Sequence, residues 1–524
     1  MDYNKLGLFF NTIRFLKPKQ FFFQIWYRTK AIVPFQFSFN NSYEKVSLLD
    51  WNDVIFNVKT FKGNNTFQFL NIEERFITSI DWDLKKHKKL WTYNLNYFDY
   101  LNQQNISRPD GLYLIKKFIS NYNNIKDGKE SYPTSLRLIN WIKFISKHKI
   151  EDLEILQTIR KDANRLYYNL EYHLLANHLL ENAFALWFSA HFFKDDRYLK
   201  KATDLLNREL NEQILKDGAH FELSPMYHQL MLYRILDSIK LAELNSFANT
   251  KTISYLRLIA AKMISWLNQI TFESGAIPLF NDAANNINPC TYNLMYYAKE
   301  LNININKIEL CESGFRKFIG RNHEIVIDVA NISPSYTPGH SHADTFNFEL
   351  YVNNKPIIVD SGTSTYNICQ EREYQRSTKA HNTVTVNDEN SSQVWSGFRV
   401  AKRANVTMNT DKCNYLSATH NGYRNYKVLH NRSWQNKKDE IEIKDILIGQ
   451  KVTGKLFLHL HPDVNLKENN NCFLINKNIE ISFSDYKKIR ILNSTYSPEF
   501  NHTITKKTLE VTFETKITTT IKIK

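Results

Sequence analysis

Two imidazoles two residues apart, in Gly339-His340-Ser341-His342-Ala343-Asp344, form the densest chemistry in the chain. On an extended backbone such a pair shares one side, because strand side chains alternate with a period of two. The alternation Phe346-Phe348-Leu350 follows, the chain turns back at Asn353-Asn354, and Asp360 and His381 come next, within reach of the returning hairpin. Imidazoles beside a carboxylate can hold a metal ion, move a proton, or do both. The plainer alternative is that His340 and His342 continue the parity of Phe346 and end as hydrogen-bonded core histidines. Their company with Asp360 and His381 favours a site, since His and Asp gather where sites are built.

Two further stretches carry more polarity than packing requires. In Leu174-Leu175-Ala176-Asn177-His178-Leu179-Leu180-Glu181, Asn177 and Glu181 stand one helical turn apart, with leucines on the other face. Asn lowers helix stability, so its position argues for an amide facing a cleft or a polar contact between helices. Ser224-Pro225 reads as a helix start, with Ser as N-cap and Pro at the first position, which puts Tyr227 in the first turn. There the positive end of the helix favours an anion, so a phenolate is expected to form more easily than in water. A tyrosine that exchanges a proton beside an Asn that holds an anionic oxygen points to proton abstraction next to a carboxylate. Packing is the alternative role for Tyr227.

The elements that must position these residues follow from periodicity. From about residue 90 to 305 apolar residues recur at i, i+3 and i+4, as in Leu136, Ile139, Trp141, Ile142 and Ile145, or Met231, Leu232, Ile235, Leu236 and Ile239. The run Leu174, Leu175, Leu179, Leu180, Phe184, Trp187 and Phe188 does the same. Successive helical hairpins without strands between them make a solenoid or a closed toroid. From about residue 318 the period changes to two and stays so to the Thr-Ile-rich tail, which predicts an antiparallel β-sandwich. The chain is thus α+β and multidomain, with a lead-in segment over 1–80, a helical domain over 81–310 and a sandwich over 311–524. Short strands are expected around Phe56 to Phe76. The lead-in mixes aromatic and basic residues and reads as helical, packed on something larger or lying on a membrane surface.

Composition bounds the partners. The 524 residues carry a formal charge of +15 and are 43% hydrophobic, which excludes a disordered chain and points to anionic company. No zinc-finger, RRM or basic-zipper pattern supports nucleic acid. No window approaches the ~20 apolar residues of a spanning helix. The N-terminus shows no secretory signal, so the expected location is cytoplasmic, with a periplasmic or surface location by an unrecognised route as the alternative. Five cysteines, an odd number with no Cys-x-x-Cys, read as free thiols in a reducing compartment.

As a set, Asn177-His178-x-x-Glu181-Asn182, Ser224-Pro225-x-Tyr227-His228, Pro278-Leu279-Phe280-Asn281-Asp282, Gly339 to Asp344, Val359-Asp360-Ser361-Gly362-Thr363 and Arg376-Ser377-Thr378-x-Ala380-His381-Asn382 resemble the heparinase II/III-like polysaccharide lyases, which include alginate lyases. The N-terminal Thr12-Ile13-Arg14-Phe15-Leu16-Lys17-Pro18 and Trp91 to Tyr100 also resemble signal-less members encoded beside surface-polysaccharide assembly genes. The resemblance implies an (α/α) toroid joined to an antiparallel β-sandwich, with the cleft between them. It implies β-elimination on a uronate-containing anionic polysaccharide or oligosaccharide, in surface-polysaccharide metabolism. The carboxylate is neutralised, the C5 proton removed and the C4–O bond broken. By that resemblance Asn177, assisted by His178, holds the carboxylate, while Tyr227 and His340 share the roles of base and acid, divided according to the sugar. It further implies a structural divalent metal, zinc by ligand type, on His342, Asp360 and His381.

Other candidate substrate contacts are Glu181, the arginines Arg137, Arg372 and Arg376 as binders of carboxylate or sulfate, with ion pairing as the plainer reading of each arginine, and Tyr366 or Tyr374 as a further tyrosine. One piece of geometry constrains the metal. With a two-residue turn at Asn353-Asn354, Val352 faces Lys355 and Asp360 faces Asn347, leaving His342 roughly 17 Å further along a straight strand. The chain must bend between Gly339 and Asp344. Two other readings remain: a non-catalytic glycan-binding or scaffolding protein, and a glycoside hydrolase using facing carboxyls among Glu181, Glu222 and Asp344.

Overall fold

Apolar spacing at helical intervals between Lys88 and Glu300 becomes a ring of helical hairpins, and the later period-two region becomes stacked antiparallel sheets. The structure, a computed structural model, describes residues 3–32, 46, 48–469 and 472–524. The remaining residues of the expected lead-in, 1, 2, 33–45 and 47, lie outside the described residues. The described helices are α1 (Tyr3–Ile13), α2 (Pro18–Ile32), α3 (Lys88–Tyr97), α4 (Arg108–Asn121), α5 (Ser131–Lys147), α6 (Leu153–Tyr168), α7 (Ala176–Phe193), α8 (Asp196–Gln213), α9 (Pro225–Leu244), α10 (Thr250–Ile270), α11 (Thr291–Glu300) and the short α12 (Gln370–Gln375). A small antiparallel sheet, Phe61–Gly63, Thr66–Phe69 and Ile72–Arg75, precedes the ring.

α7 is buried on every side except at His178 and is the pivot of the helical core, packing against α5, α6, α8 and α9. Trp187 on α7 and Trp266 on α10 are fully buried, and truncating either costs about 3–5 kcal/mol. Ser224 caps α9 as its sequence predicts: its Oγ accepts from the backbone N of Tyr227, with Pro225 at the first position.

In the sandwich, an eight-stranded antiparallel sheet faces two four-stranded ones. The C-terminal strand Lys516–Ile523 lies inside the large sheet, between Glu440–Gly449 and Ile479–Ser484. The two smaller sheets continue into each other where Ile358 bridges Leu460 and the Val359 N donates to the His459 carbonyl. His323–Asp328 is buried along its whole length. Its Ile325 and Ile327 join the sandwich core while Val326 joins the helical core, so this sheet is covered on both faces. That layering sets a polar seam between ring and sandwich, and the predicted chemistry lies in it.

The expected strand through His340, His342 and Phe346 does not form. The strand begins at Phe348, and residues 339–347 make a turning loop in which Phe346 adopts a left-handed φ of 73°. The hairpin at Asn353 and Asn354 does form, pairing Val352 with Lys355. A register shift between Leu350 and Tyr351 then places Leu350 opposite Ile358, so the predicted pairing of Asp360 with Asn347 is off by one residue. The Asn347 side chain nevertheless reaches Asp360, Nδ2 to Oδ2 at 2.5 Å. The bend required of the Gly339–Asp344 stretch is real, and the His342 and His381 rings end 5.3 Å apart.

Candidate active site

Asp282 is the hub of the seam. Its loop leaves α10 through Pro278-Leu279-Phe280, and Asn281 takes a left-handed φ of 58° that turns the carboxylate inward. The Asn281 side chain ties three loops together, donating to the Leu223 carbonyl at 2.9 Å and accepting from the His342 N at 3.0 Å. The Asp282 N donates to the His340 carbonyl, and the Ser224 hydroxyl donates to the Asp282 carbonyl. The carboxylate then receives Arg372 through both guanidinium nitrogens, His340 Nδ1 at 2.9 Å and His342 Nε2 at 2.9 Å. Burial opposes its ionisation, but Arg372 and the hydrogen bonds from the two histidines hold its pKa well below the usual carboxylate range.

The tautomer of His340 follows. An ionised carboxylate only accepts, so His340 donates from Nδ1, and in the neutral ring the lone pair is the one on Nε2. That ring packs against Tyr227, tilted by 34° with centroids 4.0 Å apart. The Tyr227 hydroxyl meets the Tyr366 hydroxyl at 3.2 Å. Burial raises the Tyr227 pKa above that of an ordinary phenol, and the Asp282 and Glu222 charges push the same way against Tyr366 and Arg372. The phenolate expected from the helix end is therefore not favoured in the free protein.

Glu222 joins this cluster to the helical ring. One oxygen lies 4.0 Å from His340 Nε2, and its two oxygens accept from the Asn177 backbone N at 3.3 Å and side-chain Nδ2 at 3.0 Å. The Asn177 Oδ1 is buried without a hydrogen-bond partner. Beside it, His178 contacts Glu171 at 3.0 Å and its ring lies 4.5 Å from that of Tyr132. Burial disfavours the imidazolium, but Glu171, with Glu222 and Glu181 behind it, raises the His178 pKa. Asn177, Tyr227 and His340 are thus joined through Glu222 and ring contact into one cluster, with His178 next to Asn177 on α7. Three of the segments arrive through non-glycine residues of positive φ: Leu175 and Ala176 before Asn177, Leu223 before Ser224, Asn281 before Asp282. Such backbone costs about 1–3 kcal/mol per residue and persists where surrounding structure over-determines it.

Behind the cleft lie His342, His381, Asp360 and Asp344, all fully or almost fully buried. His381 Nδ1 contacts Asp360 Oδ2 at 2.7 Å. His342 Nδ1, His381 Nε2 and Asp344 Oδ2 have no hydrogen-bond partner. Burial lowers the His342 pKa to about 4, so this ring is neutral. Among the described residues no group of three His, Cys, Asp or Glu side chains is arranged to hold a metal ion as it stands. Asp360 instead turns its oxygens to Asn347, His381 and the Gly362 N.

Residues 305–524 match the family described as Heparinase II/III-like, C-terminal, and residues 133–303 match Heparinase II/III N-terminus. The chain belongs to the heparinase II/III-like family. It is 30% identical over 252 residues to a heparin-sulfate lyase of Bacteroides stercoris, covering 43% of this chain and 38% of that one. A heparin-sulfate lyase of Pedobacter heparinus is 25% identical over 417 residues, covering 74% of this chain and 59% of that one. The chain therefore spans less than two thirds of the length of both relatives. A crystal structure of heparinase III shares the fold with a TM-score of 0.65 at 15% identity, over 98% of this chain and 93% of that one. The helical toroid followed by an antiparallel sandwich is the architecture of these heparinase II/III-like proteins.

Several residues expected to contact substrate are instead internal supports. Arg137 is fully buried, paired with Asp162 at 2.6 Å and donating to the Gly128 carbonyl. Glu181 is closed off by Arg234, whose Nε lies 3.2 Å from both its oxygens. Arg376 pins the 339–344 loop through the Ser341 carbonyl and is buried. Leu174 and Leu175 precede α7 and are not part of it. Of the two candidate tyrosines, Tyr366 joins the cluster, while Tyr374 turns toward Ser361 and Ser494. The hydrolase alternative loses its carboxyl pair: Glu181 is locked by Arg234, Glu222 holds Asn177, and Asp344 is buried. Asp282 and Glu171 were not singled out as site residues from the sequence. The available signal was the Asn-Asp pair at 281–282, within a motif quoted for the family resemblance.

Proposed function

We propose that this protein is a polysaccharide lyase that cleaves a uronate-containing anionic glycan by β-elimination. The observation that supports the reading is Glu222, which accepts from Asn177 and lies 4.0 Å from His340, so that the groups suited to carboxylate binding and to proton transfer stand together. A scaffolding protein would have no need for that convergence.

In this reading the uronate carboxylate lies against the Asn177 amide and the His178 imidazolium, whose charge Glu171 sustains. Offsetting the carboxylate charge is what makes the C5 proton removable, and a water-poor cleft strengthens the effect. His340, held by Asp282 through Nδ1 and with Nε2 4.0 Å from Glu222, takes that proton on Nε2. Tyr227, protonated in the free protein and linked to Tyr366, gives a proton to the departing O4. Each such group contributes about 10²–10⁴-fold.

A divalent ion, zinc by donor type, is proposed as a structural support for the same loops. The unpartnered atoms of His342, His381 and Asp344 suit it, with Asp360 as the fourth residue of the set. When bound, it would supply a fixed positive centre that orders the His340–Asp344 loop.

The test is absorbance of a 4,5-unsaturated uronate during incubation with a panel of uronate glycans. The wild type is expected to produce it, while Tyr227→Phe and His340→Ala, still folded, fall by at least about 10²-fold. Wild-type and variant rates that match on a cleaved glycan would overturn the assignment.

A further inference from the structure

The first two helices present an apolar face that nothing in the described structure covers. Phe9 and Phe10 on α1, with Phe21, Phe22, Ile25 and Trp26 on α2, keep between 42% and 63% of their surface exposed. On α2 the division is by face. Gln20, Phe23 and Tyr27 turn toward the body, while Phe21, Phe22 and Ile25 fall on the opposite side at i, i+1 and i+4. A helix with apolar residues on both faces belongs in an interior or at an interface, and clustered exposed aromatics of this kind mark interaction surfaces.

Charge identifies the occupant. Residues 3–32 contain Lys5, Arg14, Lys17, Lys19, Arg28 and Lys30 and not one Asp or Glu. Lys17 and Lys19 clasp the body, over the Tyr336 and Tyr172 rings at 3.9 Å each, whereas Arg14 and Arg28 are exposed. No helix among the described residues is long and apolar enough to cross a membrane. A wholly cationic helix pair with exposed Phe, Ile and Trp has the chemistry of an element that lies in the headgroup layer of an anionic bilayer.

We propose that α1 and α2 form a membrane-surface dock for anionic lipid. The pair is well tied to the rest of the molecule. Thr12 accepts from Trp395 Nε1 at 3.0 Å, and the Phe15 ring lies 3.7 Å from the Arg403 guanidinium. Phe23 packs on Tyr172, and the Tyr27 hydroxyl donates to the Leu170 carbonyl. Residues 170–174 lead directly into Asn177 and His178, and Phe398 of the 395–403 segment packs on His340 and Tyr366. The dock therefore rests on segments from both sides of the cleft, and it holds the cleft at the lipid surface. This inference goes beyond the lyase reading and does not depend on it.

The full chain is sedimented with vesicles of phosphatidylcholine, alone or with added phosphatidylglycerol. Binding is expected only with the anionic lipid, weakening roughly fivefold for each of Arg14→Gln and Arg28→Gln. Phe22→Glu with Ile25→Glu abolishes pelleting while the thermal melt stays unchanged, because both side chains face water in the free protein. Trp26 gives a direct readout: vesicle binding shifts emission to the blue, and Trp26→Phe removes that shift. Absence of pelleting with either vesicle overturns the proposal, as does pelleting that survives the Glu pair. A dimer in sedimentation velocity that the Glu pair dissolves, without vesicle binding, gives the face to a second copy and also overturns it.

Discussion

Replacing Asp282 by Asn tests the hub with the smallest change of shape. The carboxylate balances Arg372, which is fully buried, and fixes both His340 and His342. An amide leaves the guanidinium without its counter-charge, and breaking a buried pair from one side costs about 3–5 kcal/mol. At roughly 2–4 °C per kcal/mol that lowers Tm by about 6–20 °C. The amide also cannot accept from both imidazoles at once, and its NH₂ donates to a ring nitrogen that previously donated. His340 then holds its proton on Nε2, the wrong tautomer for a base, and turnover falls by up to about 10⁴-fold. Calorimetry and product absorbance separate the two effects. Adding Arg372→Met to Asp282→Asn restores most of the Tm, because no unpaired charge remains, yet leaves kcat low. A single variant that melts with the wild type, or a double variant that regains turnover, refutes the reasoning.

Other consequences are checked more simply. His178 has a raised pKa, so its charge, and the binding it supports, is complete below the ordinary histidine value and is lost as pH rises through the raised one. KM for a uronate glycan should climb on the alkaline side, and Glu171→Gln should move that climb to lower pH. Arg137→Met is expected to destabilise the helical ring by about 3–5 kcal/mol in denaturant titration while leaving KM unchanged, since Arg137 faces Asp162 and no cleft. A chelator should lower Tm, with zinc restoring it, and His381→Ala should show the lower Tm with or without chelator. A chelator that leaves the wild-type Tm in place would remove the metal from the proposal.

The order of helical ring and sandwich was legible because burial writes its period into the chain. Leu136 to Ile145 and Met231 to Ile239 repeat at helical spacing, and Ile441 and Ile443 alternate at strand spacing. The N-cap at Ser224 was equally local and appears as read. Site membership depended on something else. Arg137, Glu181 and Arg376 are polar residues in helices or loops, and nothing in their neighbours along the chain says whether a partner waits inside the fold. Asp162 stands 25 positions from Arg137, and Arg234 stands 53 from Glu181. With the Ser341 carbonyl, 35 positions from Arg376, those distant partners turned three candidate substrate contacts into internal supports.

The same holds for the cluster at the seam. Local sequence placed His340 and His342 on one strand face, yet neither lies in a strand, and they meet on the two oxygens of Asp282, some sixty residues earlier in the chain. Sequence by itself determined the architecture and the residue types available for proton transfer, since periodicity, caps and turns are short-range effects. Only the tertiary structure decided which carboxylate orients His340 and which tyrosine stands beside Tyr227. It also decided that Arg137, Arg372 and Arg376 are engaged inside the fold, because those outcomes are set by contacts between segments that the chain brings together only on folding.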